Sequence, residues 1–261
     1  MQAARDLELL VAAAQSAGEI AQRYFKGSNQ VWEKPDGAGP VSEADLAVDT
    51  HLRELLTSER RDYGWLSEET EDTDARQKTE SVFVVDPIDG TRSFLSGADT
   101  WAHSLAVVKS GQVTAAAVYL PARNKLYAAS KGGGAFLNEA RLNPDRNSSF
   151  AGSSILAARP TMDAEHWPKG VPEIHRSHRP SLAYRLCLVA EGRFDAMLTF
   201  RKSWEWDIAA GTLILTEAGA KTSDRMGNEL AFNNPHPQTE GVIASGHEMH
   251  AEILGALGRK L

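Results

Sequence analysis

Cysteine is almost missing from this chain: Cys187 stands alone among 261 residues. No disulfide can therefore join two parts of the chain, and the composition fits a reducing compartment such as the cytoplasm. Long apolar runs are missing too. No stretch approaches the roughly 18 apolar residues that a membrane-spanning helix requires, so the protein is expected to stay in water, away from membranes. Proline and glycine are sparse and dispersed, at 11 and 21, which excludes a collagen-like or low-complexity chain. Positive charge is in deficit. The formal net charge of -7 argues against a broad surface for a nucleic-acid polymer, although it permits a local basic pocket. Met1 to Leu10 mixes Arg5, Asp6 and Glu8 with apolar residues, a pattern unlike a signal or transit peptide, so the mature chain is expected to begin here. Three catalytic signatures are absent as well: the Gly-x-Ser-x-Gly elbow, the Walker A loop and Gly-x-Gly-x-x-Gly. What is present is 42% hydrophobic and 24% charged residues, enough for one large or two medium packed cores.

Leu10, Ala13, Ala14, Ala17, Ala21 and Phe25 recur at helical spacing, predicting an amphipathic helix from about Asp6 to Lys26 that ends at Gly27. A polar link, Lys34 to Pro40, leads to Ser42-Glu-Ala-Asp45, an N-cap with an acid three residues on, which opens a second helix through Leu56. Ser81 to Val85 reads as a buried strand that stops at Asp86-Pro87. Ser104 to Val108 and Val113 to Leu120 predict a hairpin across Lys109-Ser-Gly-Gln112. Lys125 to Ala129 and Ala135 to Leu137 continue the strands around a turn at Gly132-Gly-Gly134. The polar stretch 138–149 marks a boundary near residue 147, dividing the chain into 1–147 and 148–261. Beyond it strand and helix alternate: strands at Ile155 to Ala157, Phe194 to Thr199 and Val242 to Ala244, helices at Leu182 to Val189, at Ile208 to Ala218 closed by Gly219, and at the end of the chain.

Chemistry concentrates at Val85-Asp86-Pro87-Ile88-Asp89-Gly90-Thr91, where two carboxylates sit at the end of a buried strand. Two such groups about 4 Å apart repel by roughly 4 kcal/mol at an effective dielectric near 20, so their convergence calls for a cation. An EF-hand does not fit, because positions 3, 5 and 12 from Asp86 are Ile88, Gly90 and Gly97. Magnesium sites draw further carboxylates from elsewhere in a chain. Glu68-Glu69 follows the short apolar Gly64-Trp-Leu66, and Asp207 precedes an apolar helix whose Ala209, Ala210 and Gly211 permit close backbone approach. Taken singly, each of these is an ordinary Asp-rich turn, a solvated acid pair or a helix cap.

Together, Asp86-Pro-Ile-Asp-Gly-Thr91, Glu68-Glu69, Trp206-Asp207-x-Ala-Ala-Gly211 and Glu217-Ala-Gly219 make the chain resemble the inositol monophosphatase superfamily of lithium-sensitive phosphatases. Pro40-Val-Ser-Glu-Ala-Asp45 and the segment Gly132 to Asn138 extend the likeness over most of the chain. The resemblance implies a layered α-β-α-β-α sandwich of the sugar/inositol phosphatase type with mixed and antiparallel sheets. Its site would lie between the halves. It makes Glu68, Asp86, the carbonyl of Ile88, Asp89 and Asp207 the metal set for two or three Mg2+ ions. Such ions would clamp the attacking water and the leaving oxygen. It further implies that Thr91, paired with Asp45, holds and helps deprotonate the water with Glu68 nearby, that the Gly90 and Thr91 amides hold the phosphate, and that the protein is a homodimer.

The metal core does not discriminate among phosphate esters. Relatives selective for inositol phosphates carry a Glu seven residues before the Asp207 position, where this chain has Phe200. The segment Ser181 to Gly192, with Arg185, and the Glu205-Trp206-Asp207 setting resemble instead the bacterial 3'(2'),5'-bisphosphate nucleotidase branch. That likeness places Arg185 against the remote phosphate of 3'-phosphoadenosine 5'-phosphate. His175, Arg176, His178, Arg179, Arg201 and Lys202 offer further cations or a solvated basic loop. Trp204 and Trp206 are open to base stacking or plain packing, and His103 to orienting a site group or an ordinary hydrogen bond. Histidinol phosphate and fructose 1,6-bisphosphate remain alternative substrates. A regulator that binds a phosphorylated metabolite without hydrolysing it is the alternative outside enzymes.

Overall fold

The computed structural model describes residues 1–37 and 39–259, so that Ala38 of the predicted polar link and the last two residues of the C-terminal half lie outside the described residues. The chain opens with helix α1 (Gln2–Tyr24), strands β1 (Val31–Glu33) and β2 (Pro40–Ser42), and helix α2 (Glu43–Glu59). Ser42 caps α2 with the predicted capping box, its side chain facing the Asp45 amide while the Asp45 carboxylate returns to the Ser42 amide. The first helix does not end at Gly27. It stops after Tyr24 because Phe25 turns to an extended conformation that lays its ring against Phe94 and Trp101, at centroid distances of 5.5 and 5.4 Å. Lys26 takes the left-handed conformation instead.

Next come β3 (Gly64–Ser67), β4 (Ser81–Asp89), helix α3 (Thr91–Leu95), β5 (Ala102–Lys109), β6 (Gln112–Leu120), β7 (Lys125–Ser130), β8 (Gly134–Leu137) and β9 (Ala140–Arg141). They form one sheet in chain order, parallel between β3 and β4 and antiparallel thereafter. Ser110 and Gly111 both have positive φ, as the two-residue β5–β6 turn demands. The remaining elements are β10 (Ser154–Ala157), β11 (His175–Ser177), α4 (Leu182–Ala190), β12 (Ala196–Thr199), β13 (Ser203–Trp204), α5 (Glu205–Glu217), β14 (Lys221–Ser223), β15 (Gln238–Thr239), β16 (Val242–Ser245) and α6 (His247–Ala256). A mixed sheet of order β11-β10-β12-β16-β14 contains most of these strands, and β13 pairs with β15.

Alternation along the strands stacks these elements into layers. Phe83 and Val85 of β4 face α1 and α2, in a core with Leu10, Val48 and Leu52. Val82 and Val84 face the opposite way, into the core built by α4 and α5. Leu156, Met197 and Ala244 of the second sheet close that core from beyond, while Ile155, Leu198 and Ile243 face outward to Met249 and Ile253 of α6. The result is the expected α-β-α-β-α sandwich. Close approach of α4 and α5 depends on Gly211, where an added Cβ would come within 2.7 Å of Leu186, an overpacking typically worth about 1–3 kcal/mol. Ser104 Oγ donates to the Trp206 carbonyl at 2.9 Å and ties the start of α5 to the central sheet.

Candidate active site and metal centre

Strand β4 does not stop at Asp86-Pro87. It runs to Asp89, buried throughout, because the β4–β5 register shifts between Asp86 and Asp89. Strict alternation would send residues 86 and 89 to opposite faces. The irregularity, at a proline that has no N–H to donate, lets both carboxylates turn to one place. Asp86, Asp89 and Asp207 each bring an oxygen within 4.8 Å of the others. Both Asp86 oxygens are buried without a hydrogen-bond partner among the described residues. Orphaned acceptors on a buried acid, next to two more acids, form the oxygen-rich donor set that a hard divalent cation takes.

The Asp86 pKa is pushed well above the ordinary carboxylate value, first by burial and then by the charges of Glu68, Asp89 and Asp207. Asp207, on the first turn of α5 rather than at its cap, is raised by loss of water and by Asp89 and Glu68. Burial raises Asp89 to about 6, against the Ser181 hydroxyl, the Ala183 amide and Arg185. Those partners are direct. Asp89 Oδ2 accepts from Ser181 Oγ at 2.6 Å and from the Ala183 N–H at 2.7 Å, so the N-terminus of α4 holds the acid in place.

Thr91 Oγ1 donates to Asp45 Oδ1 at 3.1 Å, which is the predicted pairing, and lies 3.3 Å from the Ile88 carbonyl. Burial raises Asp45 to about 6, against hydrogen bonds from Ser42. Gly90, at φ 100°, makes the turn from β4 into α3. Glu68 follows directly on the end of β3 and lies outside the tight triad of acids. Its Oε1 takes Lys34 Nζ at 2.6 Å, and Glu69 takes the same ammonium at 2.7 Å. Burial lowers the Lys34 pKa, but the charges and hydrogen bonds of the two glutamates outweigh it and the net shift is upward.

A cavity of about 640 Å³ opens onto this cluster, lined by Glu68, Asp86, Asp89 and Asp207 and also by His178, Arg185, Arg201 and Lys202. Arg185 lines the cavity while its Nε meets the Arg179 carbonyl and its Nη2 the Pro180 carbonyl and His178 Nε2, the last at 2.7 Å. Lys202 leans to Glu240 at 3.4 Å. Among the described residues Arg201 forms no ion pair. Arg176 and Arg179 are spent elsewhere, on the Ala157 carbonyl and over the Phe194 ring. Trp204 and Trp206 stack on each other, 4.6 Å apart and 8° from parallel. Phe200 packs away from the cavity against Trp167, and Glu205 caps the Asn233–Asn234 turn. His103 Nδ1 contacts the Pro87 carbonyl and so braces the irregular part of β4. The Gly132–Gly134 turn is a turn, held by the Glu217 carboxylate through two N–H groups at 2.8 Å.

Sequence reasoning missed Lys34, Asp49 and Ser181. Ser181 carried a signal, as an N-cap before an apolar run. Asp49 carried a weaker one, sharing a helix face with Asp45. Lys34 carried none.

The raised acids set a pH dependence in chelator. Each binds its proton more tightly folded than unfolded, so its stabilising protonation is lost as pH climbs from 3.8 toward about 6 for Asp45 and Asp89, and from 4.5 toward about 7 for Glu69. His103 and His250, depressed by burial from 6.5 to about 4, work in the opposite sense, losing stability as pH falls through that interval. The unfolded histidines go on releasing protons up to about pH 7.5, and only above that do the acids act alone. As Glu69, and Asp86 and Asp207 with their pKa values well above the ordinary one, lose their last protons, the chelated protein should melt at a lower temperature at pH 8.5 than at pH 7.5 by calorimetry, and a melting point that rises with pH there would contradict these shifts.

Fold and site thus describe an α/β protein with an acidic cluster that could hold a metal ion beside a polar cavity. The sequence profile of the inositol monophosphatase family matches residues 3–260. An inositol-1-monophosphatase of Rhizobium meliloti is 32% identical over 95% of this chain and 94% of its own, and the Nus factor SuhB of Haemophilus influenzae is 26% identical over 96% and 95%. The solved structure of a Thermotoga maritima IMPase superposes with a TM-score of 0.84 at 25% identity, covering 97% of each chain. The chain belongs to the inositol monophosphatase family, a family of metal-dependent phosphatases.

Proposed function

We propose that the protein is a Mg2+-dependent phosphomonoesterase that hydrolyses a small phosphorylated metabolite, either an inositol monophosphate or 3'-phosphoadenosine 5'-phosphate. The observation that carries this reading is the unpartnered Asp86 carboxylate converging with Asp89 and Asp207 beside the Thr91–Asp45 pair. Glu68, Asp86, the Ile88 carbonyl, Asp89 and Asp207 would hold the ions. When bound, two divalent ions supply Lewis-acid stabilisation of phosphoryl charge and lower the pKa of water.

The protein's own groups supply alignment and proton transfer. Thr91 Oγ1, whose proton lies toward Asp45, presents a lone pair to the attacking water and relays its proton to a carboxylate made more basic by burial. The Gly90 and Thr91 amides at the opening of α3 meet the phosphate oxygens. The reading divides the work between halves, with 1–147 carrying Asp45, Glu68, Asp86 and Asp89, and 148–261 carrying Asp207 and the basic wall. Arg185, Arg201 and Lys202, all lining the cavity, suit a second phosphate and favour the bisphosphate nucleotide. Lithium inhibition, a cytoplasmic location and a homodimer belong to the same reading.

Magnesium-dependent phosphate release from inositol 1-phosphate, 3'-phosphoadenosine 5'-phosphate, fructose 1,6-bisphosphate and histidinol phosphate, compared by kcat/KM, tests it. The bisphosphate nucleotide should lead by at least about tenfold, a difference of roughly 1.4 kcal/mol. Release from none of the four would remove the enzyme reading. The likeness to a protein named Nus factor SuhB favours a second reading, a regulator that binds such a metabolite without turnover. The intact Asp45–Thr91 pair weighs against it.

A further inference from the structure

Asp49 follows Asp45 by one helical turn on α2 and faces the same way, as i,i+4 spacing requires. It is 7% exposed and is not among the described residues that line the cavity. Both of its oxygens are in use. Oδ1 accepts from Ser67 Oγ at 2.5 Å and Oδ2 from Thr70 Oγ1 at 2.7 Å, the two residues that bracket Glu68 and Glu69. The bracket is tied further. Ser67 Oγ accepts from the Glu69 N–H at 3.3 Å, Thr70 Oγ1 from Trp65 Nε1 at 3.2 Å, and the Glu68 N–H donates to the Val85 carbonyl at 3.2 Å.

A buried carboxylate without a cation is costly unless its hydrogen bonds are complete, and here they are completed by the two hydroxyls on either side of the acid pair. Lys34 exerts an opposing pull, since its ammonium already holds Glu68 and Glu69 and competes with any divalent ion for Glu68. A backbone free to follow Lys34 would carry Glu68 with it. A backbone clamped from below leaves the side chain alone to swing.

We infer that Asp49 is a positioning residue which, through Ser67 and Thr70, clamps the segment bearing Glu68 and Glu69 so that Glu68 can serve the cation site. The inference rests on the metal set proposed above. The two acids of α2 then have different roles, Asp45 handling the proton through Thr91 and Asp49 setting cation affinity through the acid pair.

Titrating Mg2+ against melting temperature tests this without turnover. Asp49→Ala should need about tenfold more Mg2+ for half of the full rise in melting temperature, the lower end of the loss usual for groups that orient metal ligands. Its substrate KM at saturating Mg2+ should stay within about twofold. Asp49→Glu should restore part of the affinity. The double variant Ser67→Ala/Thr70→Val, which leaves the α2 side chain in place, should show the same shift and decides the matter if Asp49→Ala does not fold. If the native chain responds to Mg2+ and both variants respond at the same concentrations, while only their metal-free melting points drop, Asp49 is merely structural and the inference is overturned. If the native chain shows neither a Mg2+-dependent rise nor phosphate release, the metal-site reading fails and takes the inference with it.

Discussion

In magnesium-free buffer Asp86→Asn should melt at a higher temperature than the native chain, and in saturating magnesium the order should invert. Asp86 is 1% exposed, both its oxygens lack partners, and Glu68, Asp89 and Asp207 all raise the cost of its charge. An amide of the same shape removes the repulsion and gains N–H groups that can donate to the neighbouring acids. Relief of one such contact is worth about 1–3 kcal/mol after allowance for solvent, against the roughly 4 kcal/mol that two charges 4 Å apart reach at a dielectric near 20. At about 2–4 °C per kcal/mol for a chain of this size, the metal-free rise is about 2–12 °C. Magnesium at a hundred times its dissociation constant should add about 2.7 kcal/mol to the native chain, and much less to the variant. Phosphate release should fall by about a thousandfold or more, a loss near 4 kcal/mol in the barrier. Scanning calorimetry in chelator and in magnesium reads both signs. A metal-free melting point below the native one would show that Asp86 is held by something other than a missing cation.

Removing the Thr91 hydroxyl should be nearly as damaging to turnover and nearly silent in binding. Thr91→Val keeps the shape of a side chain that is 8% exposed but deletes the donor to Asp45. The expected result is a fall in kcat of about 10²–10³, within the range usual for general acid–base groups, with KM changed by no more than a few-fold. Thr91→Ser should recover most of the rate. Asp45 keeps its bonds from the Ser42 amide and hydroxyl, so Asp45→Asn tests the acceptor separately. Residues that act as one unit are not additive, and the double variant should therefore be no slower than the worse single one. A double variant whose losses multiply would mean that Thr91 and Asp45 act independently, against the proposed relay.

The acid-bearing segments and most of the elements around them were legible because local signals encode them. A capping box names the start of α2, a short continuous apolar run of Val and Phe names β4, and Lys109-Ser-Gly-Gln112 names a hairpin turn. Interactions between segments left little trace. Nothing near Lys34 announces that it meets Glu68 and Glu69, and nothing near Arg185 announces that its Nε and Nη2 bond the turn at residues 178–180. Trp204 and Trp206 were open to stacking on a base, and they stack on each other. The run through Pro87 read as the end of a strand because proline lacks a ladder donor. It proved instead to be an irregular continuation, with His103 reaching its carbonyl.

The sequence by itself determined which residues bear charge and where helices cap and strands run, because these follow from short-range chemistry along the chain, and the resemblance of its motif blocks implied the layered architecture and the family. The tertiary structure alone decided that Asp86 and Asp89 face one point with Asp207, that Ser181 and Ala183 pin Asp89, and that Asp49 braces the segment carrying Glu68. Those facts depend on a register shift and on contacts between residues far apart in the chain. The energy of bringing like charges together is set by distance and dielectric, neither of which exists until the chain has folded.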